Sequence, residues 1–230
     1  EQRGVIVVAG PRSRELLATL TDAPLDNASF PWRSAQEIDV AGVKTLALRI
    51  NYVGELGWEL HPRMADLETL YAAVWAAGEA HGIANFGLYA LNSLRMEKAY
   101  RGWGAELTNE VTMLEADMAR FFHGKKDDFV GKSATETRDT GPLRLVYFSV
   151  DAVDADVRGG EPIFVGDDCV GVTTSGGYGH AVEQSLGFGY VPPAQAVPGS
   201  VLEVGLLDAR CQATVLTDPA YDPANQRLMS

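Results

Sequence analysis

The chain has 230 residues, 46% hydrophobic and 22% charged, a balance that suits one large or two small folded domains and argues against disorder. With 19 Lys and Arg against 31 Asp and Glu, the net charge is −12, and no basic run offers nucleic acid or an anionic membrane a place to bind. The longest apolar runs, such as Val5 to Ala9, fall far short of the roughly 20 residues that span a bilayer, and there is no signal-peptide layout, so a soluble, cytoplasmic protein is expected.

The first element is a strand, Gly4 to Ala9, followed by Gly10-Pro11 and an amphipathic helix over Arg12 to Leu20. An apolar strand with no lead-in suggests that the chain begins inside a domain. Leu46, Leu48, Ile50 and Tyr52 then alternate with Ala47, Arg49 and Asn51, the period of a half-buried strand whose apolar face carries Tyr52. Gly54 and Gly57 supply turn geometry, and Trp58, Glu59, Leu60 and His61 resume the extended pattern.

A helix is expected over Ala65 to His81, with Leu67, Leu70, Tyr71 and Val74 on one face and Gly82 just past its end. A second runs from about Gly87 to Ala99, with an apolar stripe of Leu88, Leu91 and Leu94 and with Arg95, Glu97 and Lys98 charged. Thr112 and Glu115 have capping-box spacing and announce a third, carrying Leu114, Met118, Phe121 and Phe122. Lys125 to Asp128 breaks this pattern, and a domain boundary is placed between Gly131 and Pro142, dividing the chain into 1–138 and 139–230. Six short strands follow, over Leu143–Val150, Pro162–Val165, Cys169–Thr174, Leu186–Val191, Val201–Val204 and Cys211–Leu216, with turns at Gly166-Asp167 and Pro198-Gly199. The fold class is α+β followed by a small antiparallel barrel or sandwich.

Common cofactor signatures fail. Gly131-Lys-Ser133 lacks the upstream glycine of a phosphate loop, and Gly102-Trp-Gly104 lacks the third glycine of a dinucleotide fingerprint, so no flavin or nicotinamide site is expected. Thr174-Ser-Gly-Gly-Tyr-Gly179 reads as a turn between strands before it reads as an anion cradle. His61, His81, His123 and His180 are scattered, with no zinc spacing, and Cys169 and Cys211 read as two buried thiols.

Glu59 is the strongest candidate for a binding role, beside the plainer reading of a solvated carboxylate on a strand. Its two acceptor oxygens match a planar group with two adjacent N–H donors, such as the 2-amino-pyrimidinone edge of a pterin. Tyr52 would add a ring for stacking or a phenol hydrogen bond.

The blocks Tyr52-Val-Gly-Glu-Leu-Gly-Trp-Glu59, Phe86-Gly-Leu-Tyr-Ala-Leu-Asn-Ser-Leu-Arg-Met-Glu-Lys98, Arg101-Gly-Trp-Gly104, Leu114-Glu-Ala116, Asp128-Phe-Val-Gly-Lys132, Thr173-Thr-Ser-Gly176 and Gly187-Phe-Gly-Tyr-Val-Pro192 resemble, in order, those of the glycine cleavage T-protein (aminomethyltransferase) superfamily. Leu94-Arg-Met-Glu-Lys98, Arg101-Gly-Trp103 and Asp222-Pro-Ala-Asn-Gln-Arg227 resemble the C-terminal half of dimethylglycine and sarcosine dehydrogenases.

The resemblance implies a partial tetrahydrofolate-binding aminomethyltransferase domain followed by a β-barrel. It implies transfer of a methylene or methyl group from an amine-type donor to tetrahydrofolate. Tyr52 and Glu59 match the family's pterin-binding pair, Leu60 and His61 would line the same pocket, and Tyr100 would lie beside the folate. The family's arginine on the second helix is replaced by Leu91, leaving Arg95 one turn further on as the basic residue. The family's catalytic aspartate lies upstream of a strand matching Gly4 to Ala9, so the catalytic group is expected outside this chain. Two rivals remain: the C-terminal part of a flavin-dependent dehydrogenase, with its flavin domain or subunit as partner, and a folate-binding or assembly module without catalysis.

Overall fold

The computed structural model describes residues 2–122, 126–137 and 141–230; the expected 138/139 boundary and His123 lie outside the described residues. The chain divides into two compact units, 1–91 with 222–230, and 92–221.

The first unit is a four-stranded antiparallel sheet in the order β1-β4-β3-β2, formed by β1 (Ile6–Ala9), β2 (Ala35–Val40), β3 (Val43–Leu48) and β4 (Gly57–Pro62). Helix α1 (Ser13–Ala18) follows β1, and α2 (Leu67–Gly78) follows β4, with short 3₁₀ turns on either side. Leu16, Leu17, Leu70 and Val74 bury against Val8, Val43, Ala47, Trp58 and Leu60 of the sheet. Gly82 ends the helical run in the left-handed conformation that glycine adopts without penalty.

Two expectations fail in this unit. The core side of β3 carries Val43, Thr45 and Ala47, continued by fully buried Arg49, while Leu46 and Leu48 lie half-buried on the opposite face. The alternation marked a strand correctly and its buried side wrongly, because a guanidinium with enough carbonyl partners can occupy a core position. Gly57 is a strand residue, not a turn residue: a Cβ there would stand 2.7 Å from the Val8 carbonyl oxygen, so glycine lets β1 approach β4.

In the second unit, β5 (Arg144–Val150), β6 (Pro162–Val165), β7 (Asp168–Gly179), β8 (Gln184–Val191), β9 (Val201–Leu206) and β10 (Ala209–Val215) close into an antiparallel barrel in the order β10-β5-β8-β7-β6-β9. All six expected strands form, β7 running on to Gly179 beyond its expected end at Thr174, and Phe148, Val150, Ile163, Val191, Val204 and Ala213 fill the interior. The Thr174–Gly179 run is not a turn: it lies within β7, and its glycines admit close neighbours, since a Cβ at Gly176 would meet Val157 at 2.4 Å. Cys169 is exposed and Cys211 half-exposed, against the expectation of burial.

Helix α3 (Leu88–Glu97) forms where expected with the opposite stripe. Leu88 is 82% exposed, while Arg95, Met96 and Glu97 are buried. The Thr112–Glu115 capping box forms, Thr112 N–H donating to Glu115 Oε2 and Glu115 N–H to Thr112 Oγ1, but the expected third helix does not. Turns and a 3₁₀ turn at Ala119–Phe121 stand there instead, with Asp117 in a left-handed conformation that an α-helix cannot pass through. The last described helix, α4, is Lys132–Thr137.

Candidate functional site

The Tyr52–Glu59 turn is built on Asn51. Its Oδ1 accepts the N–H groups of Val53 and Gly54 at 3.0 and 2.9 Å, and its Nδ2 donates to the Glu55 carbonyl. Gly54 takes φ = 80°, the conformation such a turn requires. Tyr52 lies half-buried within this turn, beyond the end of β3.

The chain re-enters the sheet at Gly57, and strand alternation separates the next side chains. Trp58 and Leu60 enter the core with no exposed area, while Glu59 and His61 project from the opposite face. Leu60 thus faces away from Glu59. Glu59 pairs laterally with Val7 of β1 and Leu48 of β3, and His61 with Leu46. The carboxylate therefore stands between two aliphatic side chains, which shield a carboxylate–donor contact from water on those two sides. His61 Nε2 lies 3.2 Å from Glu59 Oε2, and the two side chains keep 21% and 26% of their accessible surface. One carboxylate oxygen is thereby oriented by the imidazole, and the group stays open to a partner.

A cavity of about 590 Å³ runs along β1 within the same unit, lined among others by Val7, Tyr71, Trp75, Asn85 and Phe86. Tyr71 and Trp75 stack at 6.1 Å, and Asn85 Nδ2 donates to the Tyr71 hydroxyl. Val7 both lines this cavity and flanks Glu59. The aromatic wall escaped sequence reasoning because Tyr71 was assigned to the helix's buried stripe; one turn of helix places Tyr71 and Trp75 together, and that spacing was the available signal.

Tyr100 belongs to the second unit. It is half-buried, its N–H donating to the Arg95 carbonyl and its own carbonyl accepting from Arg95 Nη1. Arg95 is not free to meet a ligand: its guanidinium is buried and also bonds Asn92 Oδ1 and, at 3.1 Å, Glu106 Oε2. The fully buried Glu106 carboxylate also accepts the Gly102 N–H and the hydroxyls of Thr174 and Ser175, tying the Arg101–Gly104 and Thr173–Gly176 blocks together. Both blocks serve the packing of the barrel unit. Among the described residues, no cluster of His, Cys, Asp and Glu has the arrangement of a metal site.

Residues 1–126, more than half of the chain, match the family model for the GCVT N-terminal domain. The chain belongs to the glycine cleavage T-protein family. Residues 144–222 match the model for the glycine cleavage T-protein C-terminal barrel domain. The chain is 40% identical to the mitochondrial dimethylglycine dehydrogenase of Mus musculus, over 99% of its own length and 27% of the relative's. Its identity to human mitochondrial sarcosine dehydrogenase is 34%, over 99% of the chain and 26% of the relative. Aminomethyltransferase of Listeria monocytogenes serotype 4a is 31% identical over 96% of the chain and 60% of the relative. The fold matches a crystal structure of glycine cleavage system aminomethyltransferase T from Bartonella henselae with a TM-score of 0.83 at 23% identity, over 96% of this chain and 60% of that one. This T-protein family member thus spans about a quarter of the dehydrogenases' length and three-fifths of the aminomethyltransferases'.

Proposed function

We propose that the protein binds tetrahydrofolate through Glu59 and takes part in one-carbon transfer from an amine-type donor. The observation that carries this reading is the half-buried Glu59 carboxylate, placed between Val7 and Leu48 and oriented by His61 on a rigid strand. Its chemistry fits the pterin edge, because two oxygens in one plane accept two adjacent N–H donors with charge-assisted strength. Tyr52 and His61 are assigned to the same pocket. Tetrahydrofolate would supply the nitrogen that receives the carbon. The chain's own groups bind and orient it and exclude water, and such positioning is worth about 7 to 11 kcal/mol of barrier in well-aligned cases.

Titration of the purified chain with a stable reduced folate, wild type against Glu59→Ala, tests the proposal. A lost charge-assisted fork should weaken binding by about 1.5 to 3 kcal/mol; equal affinity in both proteins removes Glu59 from the site.

A second reading rests on the 40% identity to dimethylglycine dehydrogenase: the chain acts as the folate-binding part of a flavin-dependent dehydrogenase, with a flavin domain as partner and a methylated amine as donor. A mass near 24.7 kDa for the source protein would exclude it. Turnover of methylated amines with tetrahydrofolate separates both readings from a non-catalytic module. Cytoplasmic residence stays part of the proposal, although the dehydrogenase relatives are named as mitochondrial; cell fractionation tests it.

A further inference from the structure

The Asp222-Pro-Ala-Asn-Gln-Arg227 motif lies in the segment that belongs to the first unit despite its distance in sequence. Asp222 accepts the N–H of Gln226 at Oδ1 (2.8 Å) and of Arg227 at Oδ2 (3.0 Å), and Met229 N–H donates to the Asn225 carbonyl. Asp222 and Asn225 both have positive φ, a conformation that Asp and Asn tolerate better than most residues. The resulting coil buries Leu228 and turns the backbone oxygens of Met229 and Ser230 toward two arginines.

Arg49 Nη2 donates to the Ser230 backbone oxygen at 3.0 Å, and Arg14 Nη2 donates to the same oxygen at 2.9 Å. Asn27 Nδ2 donates to the Met229 carbonyl. The other arms reach Phe30 O, from Arg49 Nη1, and Leu25 O and Asn27 Oδ1, from Arg14. Two neighbouring cations are thus held by backbone and amide oxygens of residues 25–30 and 229–230. Burial, and secondarily the charge of Arg14, depresses the Arg49 pKa.

Both cations sit against the Trp58 ring, at 5.6 Å for Arg49 and 5.8 Å for Arg14, and Phe30 packs edge-on to it. Trp58 is one residue from Glu59, and Arg49 is two residues from the Asn51 cap. The two arginines and the backbone oxygens of Met229 and Ser230 therefore sit at the root of both arms of the turn that presents Tyr52 and Glu59.

We propose that the segment Asp222–Ser230 is a strap whose backbone oxygens, gripped by Arg14 and Arg49, position the Tyr52–Glu59 turn for its ligand. The inference rests on the folate-binding reading for its ligand. Its structural half stands alone: loosening the strap underpairs the buried Arg49 and the half-buried Arg14 beside Trp58, and the turn loses its base. Because coupling is reciprocal, a ligand held by Glu59 must also steady the strap.

The test compares the intact protein with two variants. Asp222→Ala uncaps the strap away from the turn, and Arg49→Lys keeps the charge but loses the fork. Amide exchange at Val53, Gly54 and Glu59 should rise at least fivefold in both, with Leu70 and Val74 of α2 unchanged. Affinity for a stable reduced folate should fall about tenfold, and saturating ligand should slow exchange at Met229 and Ser230 in the wild type. Unchanged turn exchange in both folded variants overturns the strap, whether or not folate binds. Folate binding that is equal in all three proteins and leaves strap exchange unchanged also overturns it. Absence of folate binding by the wild type overturns the reading of the site and leaves the exchange comparison to decide the strap.

Discussion

Glu59 and Glu106 show how one residue type takes two roles through its partners. Glu59 keeps a quarter of its surface and has one imidazole neighbour, whereas Glu106 keeps none and satisfies Arg95, Gly102, Thr174 and Ser175 together. Removing Glu106 leaves the buried Arg95 guanidinium without its counter-charge, so Glu106→Ala should cost about 3 to 5 kcal/mol in urea unfolding of the barrel unit. Glu161 is a milder case. Burial pushes its carboxyl upward, but the Thr173 hydroxyl and the Gly159 and Arg158 N–H groups outweigh burial and hold it below the usual glutamate value. A depressed carboxylate contributes stability that is present above its unfolded-state pKa and lost as pH falls through the folded-state value. Acid titration of barrel stability should therefore show a loss below the ordinary glutamate range that Glu161→Gln flattens. Neither role is visible in composition, because a carboxylate's partners here come from positions up to 69 residues away.

At the level of elements, β4 matters most, since its alternation sends Trp58 and Leu60 inward and Glu59 and His61 outward. That division depends on β1 lying close enough to keep the Val7–Glu59 register, which Gly57 permits. Gly57→Ala would place a methyl group 2.7 Å from the Val8 carbonyl oxygen; separating the strands should cost about 1 to 3 kcal/mol, read from the melting temperature, and shift the amide resonances of Val7 and Val8. The positions of β1, β4 and the six barrel strands were legible because extended runs between turn residues leave few alternatives. The face of β3 was not legible: Leu46, Leu48 and Ile50 outrank Ala47 and Arg49 in hydrophobicity, and the backbone oxygens of Phe30, Met229 and Ser230 with the Trp58 ring make burial of Arg49 tolerable. The missing third helix has the same lesson, since its Thr112–Glu115 exchange forms and Asp117 then leaves the helical path.

At the level of the whole molecule, the barrel unit is packed on both faces of its wall. The barrel closes its own edges and encloses an aliphatic interior, whereas Met96 and Ala99 add a second cluster with Leu145, Tyr147, Leu186 and Phe188 on its outside. A fragment of residues 92–221 should therefore fold with little binding of a hydrophobic dye. One of residues 144–222, lacking Met96 and Ala99, should expose that second cluster and bind the dye strongly. Equal dye binding by the two fragments would show that α3 is dispensable to the unit.

The sequence by itself determined the family, the α+β-then-barrel order and the placement of Glu59 on a strand after a glycine turn, because these depend on local periodicity and collinear blocks. Tertiary structure alone decided which side of β3 is buried, that Arg95 is spent on Glu106, and that the residues after the Asp222–Arg227 motif return to Arg14 and Arg49. Each of those outcomes depends on a buried polar group finding partners far along the chain, and no local pattern encodes such partners.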